Sequence, residues 1–183
     1  MQKINHTVNT QAATKLTPSS AQALFQQVCV IGLGLIGASL AQAIKDNGLS
    51  QRLVAVDRHL PSIEEAIQHG LLDAGSAILS EVVSGSDLIV IAVPVQAVQA
   101  VFVDIKAAMD NGQLAIDCII TDVCSTKVNI IDAAQAVFET LPTGLVPAHP
   151  IAGAENSGYH ARRATLFVNH SVIICELPTT SHL

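Results

Sequence analysis

Charge, aromatic rings and metal-ligand spacing are what this 183-residue sequence has least of. Only 13% of its residues are charged, against about 25% in an ordinary soluble domain. Half are hydrophobic, and the mean hydropathy is +0.47. So apolar a composition excludes intrinsic disorder for most of the chain. Nine Lys and Arg stand against 15 Asp and Glu, a net charge of -6, with four Phe, one Tyr and no Trp. Nucleic-acid binding draws on clustered cations and stacking rings, and both are missing. Cys29, Cys118, Cys124 and Cys175 form no close pair of metal-ligand spacing. They read as buried or incidental thiols in a reducing cytoplasm, and no metal is expected.

Scarce charge raises the question of a membrane. No charged residue falls between Leu16 and Ile44, but Pro18, several Gln and three Gly interrupt that span. Its continuous apolar part, Val28 to Ala41, is shorter than the roughly 20 residues of a spanning helix. A secretory segment is the nearer competitor, with Ala41-Gln42-Ala43 as a cleavage site. Against it stand a polar leader, residues 1–27, and a different reason for the glycines. No membrane partner is expected.

What is present is an alternation. Residues 1–27 are polar and aperiodic, an expected mobile arm with a short helical turn at 21–26. Residues 28–177 alternate short apolar runs with helix-period segments. Strands are expected at 28–31, 53–56, 87–93, 114–118, 144–148 and 171–175. The intervening helices start near Leu35 and near Pro61 (with Gly70 past its end), the next carries Val98, Val101, Phe102 and Ile105, and the last covers 125–138, with Val128, Ile131 and Phe138 on one face. Runs apolar on both sides belong to parallel strands covered by helices on both faces. The expected fold is α/β, a Rossmann-type doubly wound and mostly parallel sheet.

Gly32-Leu-Gly34-Leu35-Ile36-Gly37 follows the first strand and opens the first helix, and Asp57 comes 20 residues after Gly37, at the end of the second strand. In that context the pattern is a dinucleotide fingerprint. Gly32 allows the tight turn, Gly34 lets backbone approach a pyrophosphate, and Gly37 lets helix and sheet pack closely. The helix N-terminus supplies free N–H groups and partial positive charge. Asp57 would bind a ribose diol and repel a 2′-phosphate, favouring NAD over NADP, although the neighbouring Arg58 could neutralise such a phosphate. Val93 and Pro94 close the third strand at the carboxyl edge, either as a cofactor contact or as a strand stop.

Two further strand ends carry chemistry: Thr121-Asp-Val-Cys-Ser125-Thr-Lys127, and His149-Pro-Ile-Ala-Gly153-Ala-Glu155-Asn-Ser-Gly158. Both should converge on the far end of the cleft. A His beside Pro and a Gly-bearing loop at a strand end suits proton transfer better than packing. With GLGLIGASLA, Asp57, DLIVIAVP, TDVxSxK, HPIAGxExSG and LFVN together, the sequence resembles the prephenate/arogenate dehydrogenase family of tyrosine biosynthesis, from about Val28 to Cys175. It departs from that pattern at Cys124, where Gly is usual, and at Asn156, where Lys is common.

The resemblance implies oxidative decarboxylation of prephenate or arogenate, with NAD and a small-molecule substrate as partners. It implies His149 as general base, Ser125 as an orienting hydroxyl that could equally cap the helix, Thr121 at the cofactor and Glu155 in the substrate cleft. Lys127 is a further cleft candidate, although it and Arg162-Arg163 also suit structure or surface charge. Family members continue into a helical domain that dimerises and supplies cations for substrate carboxylates. Residues 178–183 read as the start of a linker to that absent part, so the isolated chain is expected to bind NAD and turn over weakly or not at all. Two other readings stay open: another NAD(P)-dependent dehydrogenase of the β-hydroxyacid type, and a nucleotide-sensing module without chemistry.

Overall fold

A computed structural model describes residues 23–153 and 155–177. Strand β1 (Phe25–Ile31) leads through the glycine turn into helix α1 (Leu35–Asp46) and back to β2 (Ser50–Val56). Helix α2 (Leu60–Gln68), with a proline in its first turn, precedes a short strand β3 (Ala74–Ser76). Then come β4 (Leu88–Ile91), α3 (Val98–Asp110), β5 (Ile119–Asp122), α4 (Lys127–Gln135) and β6 (Leu145–Val146). These six strands form one sheet in the order β3-β2-β1-β4-β5-β6, every neighbouring pair parallel. The order reverses beside β1, which creates the crevice at the strands' carboxyl ends where doubly wound folds bind ligands.

Strand geometry sends alternate residues to opposite faces, and the two cores follow it. Cys29 and Ile31 join Phe102 and Ile105 of α3 and Ile130 of α4 on one face. Val28 and Val30 join Ala38, Ala41 and Ile44 of α1 and Ile63 of α2 on the other. Phe102 and Phe138 meet edge to face at 5.9 Å between ring centres. Burying side chains of this size contributes roughly 1.5–3 kcal/mol each. Among the described residues no helix is long and apolar enough to cross a membrane.

Several boundaries differ from the sequence expectation. Strand β1 starts at Phe25, inside the expected arm and the expected helical turn; residues 1–22 of that arm lie outside the described residues. Gln27 is nearly buried there: its amide donates to the Val82 carbonyl at 3.0 Å and to Ser86 Oγ at 2.7 Å, and its oxygen accepts from Arg52. The fourth strand is 119–122, not 114–118. The Leu114 N–H is drawn back to the Ala108 carbonyl and that of Cys118 to Ala115, which spends the first apolar stretch on turns. Strand β4 stops at Ile91, short of the expected 93. Helix α4 is shorter than 125–138, and Ile130 and Ala134 make its inner face, whereas Val128 is 65% exposed.

The last expected strand leaves the main sheet. After β6, Pro147 interrupts the backbone, and β7 (Ala148–Pro150) pairs antiparallel with β8 (Val172–Ile174). The connection between them explains the reversed direction, because it first returns to α1. Tyr159 is buried in the core on α1's face, and the Arg163 N–H donates to the buried Ser39 Oγ at 2.9 Å. The Arg162 guanidinium stacks on the Tyr159 ring at 4.1 Å. Burial raises the Tyr159 phenol pKa, opposed by Arg162.

Candidate active site

The glycine turn is shaped by what has no room. Gly32 takes φ +101°, a conformation that side chains disfavour, and a Cβ there would lie 2.6 Å from the Ala92 carbonyl oxygen. A Cβ on Gly37 would lie 1.9 Å from the Gly32 carbonyl oxygen, so α1 sits directly on the turn. Gly34, which caps α1, is the opposite case. Nothing lies within 4 Å of where its Cβ would be, and that open space faces the crevice. A bare backbone at a helix N-terminus, with room in front of it, suits a phosphate group.

Asp57 closes the other side. One carboxylate oxygen accepts the Leu33 N–H at 2.6 Å and the other the His59 N–H at 2.7 Å, which ties β2's end to the glycine turn. Gly32, Gly34, Asp57, Arg58, Val93 and Pro94 all line one cavity of about 720 Å³. Leu35, Ile36, Gly37 and Thr121 do not line it. Leu35 and Gly37 are buried in the turn's packing, and Thr121 Oγ1 donates to the Val146 carbonyl at 2.8 Å, holding β6 to β5. Sequence reasoning missed the rest of the wall, such as Ile78 and Val101. No local motif marks them, since they meet the glycine turn only once the sheet is assembled.

The second cluster stands at the ends of β5 and β7. Cys124 Sγ donates to the Val93 carbonyl at 3.5 Å, joining this loop to the cavity wall, and burial pushes the thiol's pKa up to about 11. Ser125 is exposed. The residue capping α4 is Thr126, with no side-chain cap bond, so Ser125 is not the helix cap. Glu155 is exposed as well. His149 is half-buried, and its Nδ1 is a buried atom without a hydrogen-bond partner. Lys127 does not point a free charge at a substrate: its ammonium is bound by Asp122 and by the Ala148 carbonyl. Asp122 is 2% exposed and was not singled out from sequence, although it ends an apolar strand.

The family model described as prephenate dehydrogenase, nucleotide-binding domain, matches residues 40–182. The chain belongs to the prephenate dehydrogenase family. Cyclohexadienyl dehydrogenase of Zymomonas mobilis is 36% identical over 152 residues, covering 82% of this chain and 49% of the relative. The crystal structure of Synechocystis arogenate dehydrogenase aligns with a TM-score of 0.70 at 28% identity, over 85% of this chain and 52% of that one. Prephenate dehydrogenase of A. aeolicus, solved with hydroxyphenyl propionate and NAD+, aligns at 0.71 and 24% identity, over 85% and 52%. At that identity the likeness concerns fold alone. The chain spans 38–49% of the length of the curated relatives it matches. Within this family of enzymes it carries the nucleotide-binding domain.

Proposed function

We propose that the chain is the cofactor-binding and general-base half of an NAD-dependent prephenate or arogenate dehydrogenase. The cavity's chemistry supports the cofactor. Gly34 leaves the pyrophosphate room against bare N–H groups, Asp57 offers acceptors to a ribose diol, and Ile78 and Val101 offer apolar surface to a flat base. The Asp57 carboxylate repels a 2′-phosphate, which favours NAD over NADP. When bound, the nicotinamide supplies the hydride acceptor.

The chain's own residues supply the proton chemistry. Neutral His149 takes the proton of the substrate's ring hydroxyl, Ser125 orients that hydroxyl, and Glu155 faces the substrate. Loss of carbon dioxide then completes the aromatic ring of 4-hydroxyphenylpyruvate or tyrosine. The carrying observation is the buried, unpartnered Nδ1 of His149 on a strand tied to the cavity wall. Substrate carboxylates need Arg or Lys, and Lys127 is already bound. In a protein of the relatives' length, cations and the dimer contact come from the remaining sequence.

In the full-length protein, His149→Asn should lower turnover by about 10²- to 10⁴-fold and leave NAD binding intact. Wild-type turnover in that variant would remove His149 from the chemistry and favour a nucleotide sensor. Purified residues 1–183 alone should bind NAD and show little steady-state turnover. Normal turnover by that chain would show that nothing further is needed.

A further inference from the structure

Beside His149, outside the lining of the large cavity, lies a charge pair. The Asp122 side chain is 2% exposed and the Lys127 side chain 14%. Burying opposite charges is costly unless their remaining hydrogen-bonding capacity is filled. Here much of it is filled by one residue. Asp122 Oδ1 accepts the Ala148 N–H at 3.2 Å, and Lys127 Nζ donates to the Ala148 carbonyl oxygen at 2.5 Å. Asp122 Oδ2 also accepts the Cys124 N–H at 2.9 Å. Both backbone groups of Ala148 are therefore held, and its carbonyl belongs to the peptide that leads into His149.

We propose that Asp122 and Lys127 are positioning residues for His149, fixing the Ala148–His149 peptide so that the imidazole stands where the substrate hydroxyl arrives. The strand's other support is its antiparallel ladder to β8, extended by the Cys175 N–H to the Pro147 carbonyl and the Ile151 N–H to that of Ser171. Its ladder partner β8 is exposed at all three positions, and no hydrogen bond to Nδ1 orients the ring. Sheet cohesion does not explain the pair either. Strand β5 already holds β6 through its ladder and through Thr121 Oγ1, and a buried ion pair is often replaceable by apolar side chains without loss of stability.

The inference rests on His149 being the base, and the test separates the two claims. The double variant Asp122→Asn/Lys127→Met orphans no buried charge. In the full-length protein it should lose about 10²-fold in kcat, the scale of an ångström's misplacement, with KM for NAD unchanged. Lys127→Arg, which keeps charge and donor, should recover most of that loss. In ¹⁵N-histidine spectra of the chain, the ring signals that vanish in His149→Asn should broaden or split in the double variant, while those of the other histidines stay. If the double variant does not fold, Lys127→Met alone, which leaves Asp122 its two backbone N–H donors, is read the same way. Wild-type kcat with unchanged His149 signals, while His149→Asn abolishes turnover, overturns the positioning role alone. Wild-type turnover in His149→Asn overturns the base assignment and this inference with it.

Discussion

The two ends of the crevice are built by opposite means. At the glycine turn the work is done by backbone and by missing atoms: two glycines stand where a Cβ would collide with a carbonyl, and a third where a Cβ would fill empty space. At the ends of β5 and β7 it is done by side chains, with Asp122 and Lys127 buried around one peptide. The first arrangement comes from a stretch of six consecutive residues. The second joins positions 26 and 21 residues apart. A bare backbone turn can be set by local sequence, whereas a buried ion pair must be brought together by the fold.

The sharpest way to break this contrast is at Gly37. Gly37→Ala puts a Cβ against backbone that cannot rotate away, and about 3 kcal/mol of stability should go. Urea unfolding of the chain would show it, and an unchanged midpoint would mean the turn is looser than described. Asp57→Asn comes next. It keeps one acceptor but turns an NH2 towards the other backbone N–H, for a loss of about 2 kcal/mol, and it should narrow the preference for NAD over NADP, read by titrating both cofactors. Gly34→Ala separates packing from binding. Its φ of -69° suits alanine, so stability should hold while NAD affinity falls about tenfold, or 1.4 kcal/mol, by calorimetry. Unchanged affinity would place the phosphates elsewhere.

The smallest effect concerns the thiols. Burial raises the pKa of Cys29 and Cys118 to about 12 and that of Cys124 to about 11, from an ordinary 9.0. Unfolded thiols ionise near 9 while folded ones keep their protons, so this contribution is whole below pH 9 and lost as pH climbs towards 12. Denaturant midpoints should fall over that range. A Cys-free variant should fall less.

Legibility from sequence follows the same division. The glycine turn was readable because Gly32, Gly34 and Gly37 stand at fixed spacing and its geometry is local, and the parallel sheet because its strands are apolar on both sides. Strand β5 was misplaced because 114–121 is nearly all apolar, and hydropathy cannot tell a turn after α3 from a strand. Strand β3 was invisible: Ala74-Gly-Ser76 has no β-branched residue, and only its pairing with β2 makes it a strand. Asp122 and Gln27 were missed for a shared reason. Each looks like an ordinary polar residue beside an apolar run, and its partners become neighbours only in the folded chain.

Strand β1 has a consequence for how the protein is made. Among the described residues it is the first strand to be synthesised, and it has β2 on one side and β4 on the other. The second neighbour arrives late, since Asp87, whose carboxylate receives the Gln27 N–H, lies 60 residues further along. At about 5–20 residues per second, a ribosome takes about 3–12 s to cover that distance. Through that interval Val28-Cys-Val-Ile31 presents a bare, apolar row of N–H and C=O groups to anything nearby. A strand with a neighbour on both sides in the folded sheet is thus an open edge while the chain is being made.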